Sequence, residues 1–388
     1  MDDTLSSLAR SLGRSIGSVK REVDRQIGKT DIPQIVPYRG YANRSQAHIS
    51  CRVLRNPGLT PAAAGEAWWR NLLNTYKRIE TDQLPGASVR IRGFGTTADT
   101  TANDDGYVRI ALPVEEVGSN DMWRPVEFEL LAPLAADGQA AQAVGHVVLP
   151  SDDAAYGVIS DLDDTVIRTD VHSITRMLRT IAVSNAHTRL PFHGVAAFYN
   201  ALHAGRVGRP VNPIFYVSSC PWNLYDLLDE FLEIRGIPAG PLILREWGLG
   251  VNPSRNAPHK LEAIAHVLDT YTGLPFILIG DSGQEDPEIY REIIARYPGR
   301  VCAAYIRNVT PHPERSSRIK SLIKEVTDAG STMVLADDTL AVAQHAVEHG
   351  WIEPAAIDAI KADEAAEDKE GPASDEDTSP TIIVDPDE

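Results

Sequence analysis

Two hydrophobic rhythms divide the chain. Between about residues 31 and 150, apolar and polar positions alternate over short runs: QAHISCRVL, ASVRIRGF, GYVRIAL, RPVEFELLA and AVGHVVLP. A period of two sends successive side chains to opposite faces of a strand, so these runs predict half-buried antiparallel strands. Asp104-Asp105-Gly106 and Asp137-Gly138 supply turn residues between them. A helix is expected over about Pro61 to Ile79, with Pro61 suited to its first turn and Trp68 and Trp69 as core residues. The expected unit is a small, mostly β, sandwich-like fold spanning 31–150.

From Tyr156 the rhythm changes. YGVIS, PIFYVS, PFILIG and RVCAAYI are short and almost wholly apolar, and MVLADD near 333–338 adds a further candidate. Helical stretches separate them at about 173–205, 222–235, 260–271 and 286–297. Apolar strands alternating with helices predict an α/β fold, a parallel sheet covered on both faces, over residues 151–361.

The two ends differ from both. Leu5, Leu8, Leu12, Ile16, Val19, Val23 and Ile27 recur at helical spacing, with basic residues from Arg10 to Lys29 between them. Residues 1–30 therefore read as an amphipathic helix, one that packs on protein or lies on an anionic membrane surface through residues 1–29. From Asp363 to Glu388 there are eleven acids and one base, and 362–388 is expected to be a disordered acidic tail.

Composition narrows the function classes. The net charge is −17, much of it in that tail, which argues against a nucleic-acid partner. No apolar run reaches the ~18 residues of a membrane span. No signal peptide is evident, and three widely spaced cysteines argue against a disulfide framework or zinc site. The expectation is a cytoplasmic protein, peripheral on the membrane if the first helix binds it.

The chemistry gathers where the apolar strands end. YGVIS runs into Asp161-Leu162-Asp163-Asp164-Thr165, PIFYV into Ser218-Ser219, and PFILIG into Asp281-Ser282-Gly283-Gln284-Glu285-Asp286; Lys260 opens the helix before the third strand. In a parallel α/β sheet ligands bind beyond the carboxyl ends of the strands, so these groups converge on one edge. Taken singly each has a plain structural reading: a solvated turn, a strand-end cap, a surface lysine, a helix-capping loop. Together they fit phosphoryl transfer. Asp161 and Asp281 can hold Mg²⁺, Asp161 can attack phosphorus, and Asp163 can serve as acid and then base. Ser218 can donate to a phosphate oxygen, and Lys260 can balance charge.

In this order the motifs resemble the haloacid dehalogenase (HAD) superfamily: DLDDT as its DxDxT motif, PIFYVSS the second, Lys260 the third and GDSGQED the fourth. ISDLDDTVIRTDV, FYVSSCPWNLYDLLDEFLE and PHKLEAIAHVL further resemble the catalytic domain of the fungal actin-patch-associated phosphatidate phosphatase, over about residues 155–350. The resemblance implies a HAD-like, Rossmann-like fold and Mg²⁺-dependent hydrolysis of phosphatidate to diacylglycerol. It implies Asp161 as nucleophile and Asp163 as acid/base whose backbone carbonyl also reaches the metal. Thr165, Ser218 and Lys260 become phosphate-site groups, Asp281 a metal ligand, and Asp286 a ligand or its support. Val166 to Pro210 would form a small cap, with Trp222 at its entrance or in the core. Two other readings stand beside this one: a HAD phosphatase for a soluble phosphomonoester or phosphoprotein, and a non-catalytic lipid-binding scaffold.

Overall fold

The computed structural model describes residues 32–56, 83–118, 121–135, 138–162, 194–245, 256–309 and 313–369. The expected helices at 1–30 and 61–79, the cap over most of 166–210, and the tail beyond residue 369 lie outside these residues.

Eight strands come first: β1 (Ile32–Pro37), β2 (Gly40–Ala42), β3 (Gln46–Asn56), β4 (Ser88–Gly93), β5 (Thr96–Thr101), β6 (Tyr107–Pro113), β7 (Trp123–Ala132) and β8 (Gln142–Val148). All are joined in one hydrogen-bonded sheet, in the order β1-β3-β2-β8-β7-β4-β5 with β6 on β3, where two face-to-face sheets had been expected. Neighbours are antiparallel except β2 and β8, which run parallel. The alternating runs behave as their period requires: Ala47, Ile49, Cys51 and Val53 of β3 face an apolar core shared with Val89, Ile91, Val126 and Phe128. β5, TTADTT, has no buried residue and therefore no apolar signature to read. Gly106 opens β6 with φ +77, and a Cβ there would strike the chain near Val53, so this turn needs glycine on both counts.

The second sheet is parallel: β9 (Gly157–Asp161), β10 (Ile214–Pro221), β11 (Leu242–Arg245), β12 (Phe276–Asp281), β13 (Val301–Arg307) and β14 (Met333–Ala336), in the order β11-β10-β9-β12-β13-β14. The chain builds outward from β9 through β10 to β11, then returns to the other side of β9 with β12. The order therefore reverses between β9 and β12, which places a crevice at their carboxyl ends. Helices cover both faces. On one lie α1 (Val195–Ala204), α2 (Tyr225–Ile234), α6 (Thr339–Glu348) and α7 (Ala356–Lys369). On the other lie α3 (Asn256–Thr270), α4 (Asp286–Arg296) and α5 (Pro313–Asp328). Burial on both faces is why β9 and β12 read as continuous apolar runs.

One boundary moves. The acidic segment expected to leave the fold at 362 continues in α7 to Lys369. Ile360 is fully buried, and Asp363 accepts a hydrogen bond from the Ala197 backbone N–H at the start of α1. An acid is well placed at a helix N-terminus, where the backbone dipoles favour negative charge.

The two sheets meet through aromatic and polar contacts. Tyr38 lies against Tyr225 (4.2 Å between centroids) and Trp222 (5.2 Å). The Arg39 backbone N–H donates to the Tyr225 hydroxyl at 2.7 Å, and its guanidinium pairs with Asp229. Tyr41 stacks on His48, which meets His266 of α3 edge-on. Among the described residues no helix is long and apolar enough to cross a membrane. The cysteines are free, as expected, with Cys51 and Cys220 buried.

His203 of α1 is buried with Nδ1 2.7 Å from the Asn212 carbonyl. Burial lowers its pKa, and the carbonyl opposes that only in part. The unfolded chain then binds the proton more readily, so this histidine's contribution is full above the free imidazole value of about 6.5 and is lost as pH falls below it. Thermal unfolding over a pH series should show a steeper acid-side decline in the wild type than in His203→Gln; parallel curves would reject the assignment.

Candidate active site

The site sits at the crevice and is built from four elements. Asp161 ends β9 and is 9% exposed. Asp281 ends β12, and Asp286 begins α4 five residues later. Carboxylate oxygens of Asp161, Asp281 and Asp286 all lie within 4.8 Å of one another. Lys260, in the first turns of α3, reaches into this cluster: its Nζ is 2.8 Å from Asp161 Oδ1 and 3.2 Å from both Asp286 Oδ1 and Gln284 Oε1. Asp286, Asp281 and Lys260 are almost fully buried. Sequence reasoning named all four, and the fold brings them together.

The loop between Asp281 and Asp286 is folded by its own carboxylates. Asp281 Oδ1 accepts the backbone N–H groups of Gly283 (2.7 Å) and Gln284 (3.1 Å). Asp286 Oδ2 turns back to accept the Asp281 N–H at 3.0 Å. Such charge-assisted bonds hold a carboxylate in one orientation. Tyr290, a turn along α4, donates to the Ile279 carbonyl at 2.8 Å, and burial, with the nearby Asp286 and Asp161, pushes its pKa well above the usual phenol value. It stays a neutral donor.

Among the described residues, three carboxylates gather around the Lys260 ammonium in a buried place. Excess negative charge in low dielectric is costly unless compensated. The donor set is all oxygen, the chemistry that suits a hard divalent cation such as Mg²⁺ rather than a soft metal. The residues therefore fit a divalent metal; they do not by themselves select magnesium.

Ser218 is buried near the carboxyl end of β10, and its Oγ accepts the Cys220 N–H at 3.0 Å. That bond uses an oxygen lone pair; donation to a phosphate would use the O–H. Asp163 and Thr165 lie outside the described residues. Trp222 is half-buried and stacks against Tyr38 and Tyr225, whose rings also touch each other.

Three contributors were not singled out from sequence. Gln284 stands inside GDSGQED, yet only the fold shows it reaching Lys260. Arg315 of α5 carries no motif. Its Nε donates to the Ser282 carbonyl at 2.9 Å, another nitrogen to the Gln284 carbonyl, and its fork meets Glu288 of α4 at 2.5 and 3.0 Å. It ties the loop between Asp281 and Asp286 to two helices. Gly280 precedes Asp281, and a Cβ there would lie 2.8 Å from both Asp286 Cβ and the Tyr290 hydroxyl. The glycine makes room for the carboxylate to fold back.

Comparison with known proteins agrees with this geometry. The family described as phosphatidate phosphatase APP1, catalytic domain, matches residues 156–308, the segment that carries Asp161, Ser218, Lys260, Asp281 and Asp286. Phosphatidate phosphatase APP1 of Saccharomyces cerevisiae is 31% identical over 237 residues, covering 59% of this chain and 37% of that protein. An uncharacterised protein of Schizosaccharomyces pombe is 28% identical over 218 residues, 54% of this chain and 34% of that one. The chain thus spans about a third of the length of these relatives. The family resemblance read from the motifs is borne out. Among solved structures, a carbohydrate acetylesterase from Xanthomonas citri aligns over 75% of this chain and 73% of its own, at 11% identity and a TM-score of 0.26, too low to indicate a shared fold.

Two substitutions test the positioning. Gly280→Ala overpacks the turn and should lower stability by about 1–3 kcal/mol, and it should also weaken binding of Mg²⁺, followed by calorimetry; unchanged binding would show that Asp286 does not depend on the glycine. Arg315→Lys keeps the charge but loses the fork. It should weaken Mg²⁺ binding as well as lower the melting temperature, whereas a melting change alone would mark Arg315 as merely structural.

Proposed function

We propose that this protein is a Mg²⁺-dependent phosphatase of the HAD type that hydrolyses phosphatidate to diacylglycerol and phosphate through an aspartyl-phosphate on Asp161. The observation that carries the reading is the Asp161 carboxylate at the carboxyl end of the central strand, 2.8 Å from Lys260 and gathered with Asp281 and Asp286. The doubly wound order of the parallel sheet and the position of Asp161 beside the switch point support the HAD assignment. The lipid substrate rests on the matched catalytic-domain family, whose name specifies phosphatidate.

Asp161, Asp281 and Asp286 would hold Mg²⁺, which supplies charge neutralisation for the approach of an anionic carboxylate to an anionic phosphate. Asp161 attacks phosphorus, the P–O bond to the glycerol oxygen breaks, and the departing alkoxide takes a proton from Asp163. A water then attacks the aspartyl-phosphate while Asp163 takes its proton back, releasing phosphate and restoring Asp161. Ser218 and Thr165 orient phosphate oxygens. Lys260 holds the Asp161 carboxylate in line and offsets charge in the transition state. The backbone N–H groups of Asp281, Gly283 and Gln284 keep the Asp281 and Asp286 carboxylates from swinging away.

Release of phosphate from phosphatidate in mixed micelles, beside a panel of soluble phosphomonoesters, should be greatest for phosphatidate, require Mg²⁺ and vanish with chelator. A folded Asp161→Asn protein should be inactive, since an amide does not attack phosphorus. Full activity in chelator would overturn the metal-assisted mechanism; a clear preference for a soluble ester would overturn the substrate while leaving the mechanism intact.

A further inference from the structure

Within β9 a polar residue, Ser160, comes directly before Asp161. Alternation along the strand sends Val158 into the core beneath α1 and Ile159 into the core beneath α3. Ser160 therefore faces α1, and the Asp161 carboxylate faces α3 and Lys260. Ser160 is fully buried. A hydroxyl in such a place is costly unless it is hydrogen-bonded. Ser160 has two partners. Its Oγ lies 3.0 Å from the Asp161 backbone carbonyl and 2.6 Å from the hydroxyl of Tyr199 of α1, which is buried as well.

Counting protons fixes the direction of these bonds. A carbonyl only accepts, so the single Ser160 hydroxyl proton goes to Asp161, and the serine oxygen accepts from Tyr199. Burial raises the Tyr199 pKa, against an opposing effect of Arg307, so the phenol keeps its proton to give. The peptide unit that follows Asp161 is thus held at both ends. Its carbonyl takes the Ser160 bond, and its N–H, that of Leu162, donates to the Val217 carbonyl of β10 at 3.3 Å. Tyr199 is itself placed from a distance, because the Ala197 N–H in the first turn of α1 donates to Asp363 of α7.

We propose that Tyr199 and Ser160 form a relay that fixes the backbone of Asp161, which makes both of them positioning residues for its carboxylate. The inference rests on the reading of Asp161 as the nucleophile. Both side chains lie on the face of the sheet opposite that carboxylate, so they act through the main chain. Lys260 holds the carboxylate from one face, and the relay holds its peptide from the other. A side chain carried on a fixed backbone keeps the in-line geometry that attack on phosphorus needs. Loss of the relay should therefore cost rate rather than substrate affinity.

Two variants of the full-length protein test this. Tyr199→Phe removes one oxygen and keeps the ring in the core; Ser160→Ala removes the other hydroxyl. Hydrogen exchange at the Leu162 amide, read by mass spectrometry with single-residue fragmentation, should be about tenfold faster in each, while the amides of β10, β12 and β13 keep their protection. Phosphate release from phosphatidate at saturating Mg²⁺ should show kcat lowered by about the same factor with KM unchanged. The double variant should be no worse than Ser160→Ala alone, since both changes cut one relay. Exchange that rises uniformly across the sheet, or a kcat that does not change, would reduce the pair to packing and overturn the proposal. A wild type that releases no phosphate would overturn the reading of Asp161 as nucleophile, whereas unchanged Leu162 exchange in both variants would overturn the hold itself, so the two failures are told apart.

Discussion

A buried ammonium holds the site together. Lys260 joins the end of the central strand, through Asp161, to the start of α4, through Asp286, and to the loop between, through Gln284. These elements come from positions 161, 260 and 281–286, so the contact forms only once the sheet has wound in both directions. Carboxylates packed this closely repel one another. Lys260 reduces that repulsion without cancelling it, which leaves a site still receptive to a divalent cation.

Around that centre the supports have distinct physical tasks. The loop folds on carboxylate-to-backbone bonds and so is short and fixed. Gly280 gives Asp286 the volume to reach back. Arg315 fastens the outside of the loop to α4 and α5 through two carbonyls and Glu288. Removing a buried charge partner costs more than the pair contributes net, because the remaining charge is left uncompensated. The arrangement is therefore best understood as a device for placing charge, obtained at some expense in stability.

The first sheet is more than a neighbour. Tyr38, Trp222 and Tyr225 form an aromatic joint, with Arg39 reaching both the Tyr225 hydroxyl and Asp229. Because Trp222 follows the strand that carries Ser218, that joint lies close along the chain to Ser218.

How much of this was legible beforehand depends on the range of the interaction concerned. Local periodicity is enough to give the continuous apolar strands β9, β10, β12 and β13 and the alternating strands β3, β6 and β7, since burial on two faces or one writes itself directly into the run. Motif order is enough to nominate Asp161, Lys260, Ser218, Asp281 and Asp286, because a parallel sheet brings its strand ends to one edge whatever the intervening lengths. β5 was invisible because its residues are polar on both faces, and β11 because four residues at a sheet edge leave too short a pattern. The end of α7 was misplaced because its acids resemble a tail, while buried Ile360 and the cap by Asp363 on α1 are long-range facts. Arg315, Gly280 and Gln284 act through contacts with backbone and with one another that no spacing encodes. The sequence by itself determined the strongly patterned elements and the residues that meet at the sheet edge; the tertiary structure alone decided how those residues are held, because orientation depends on partners far away in the chain.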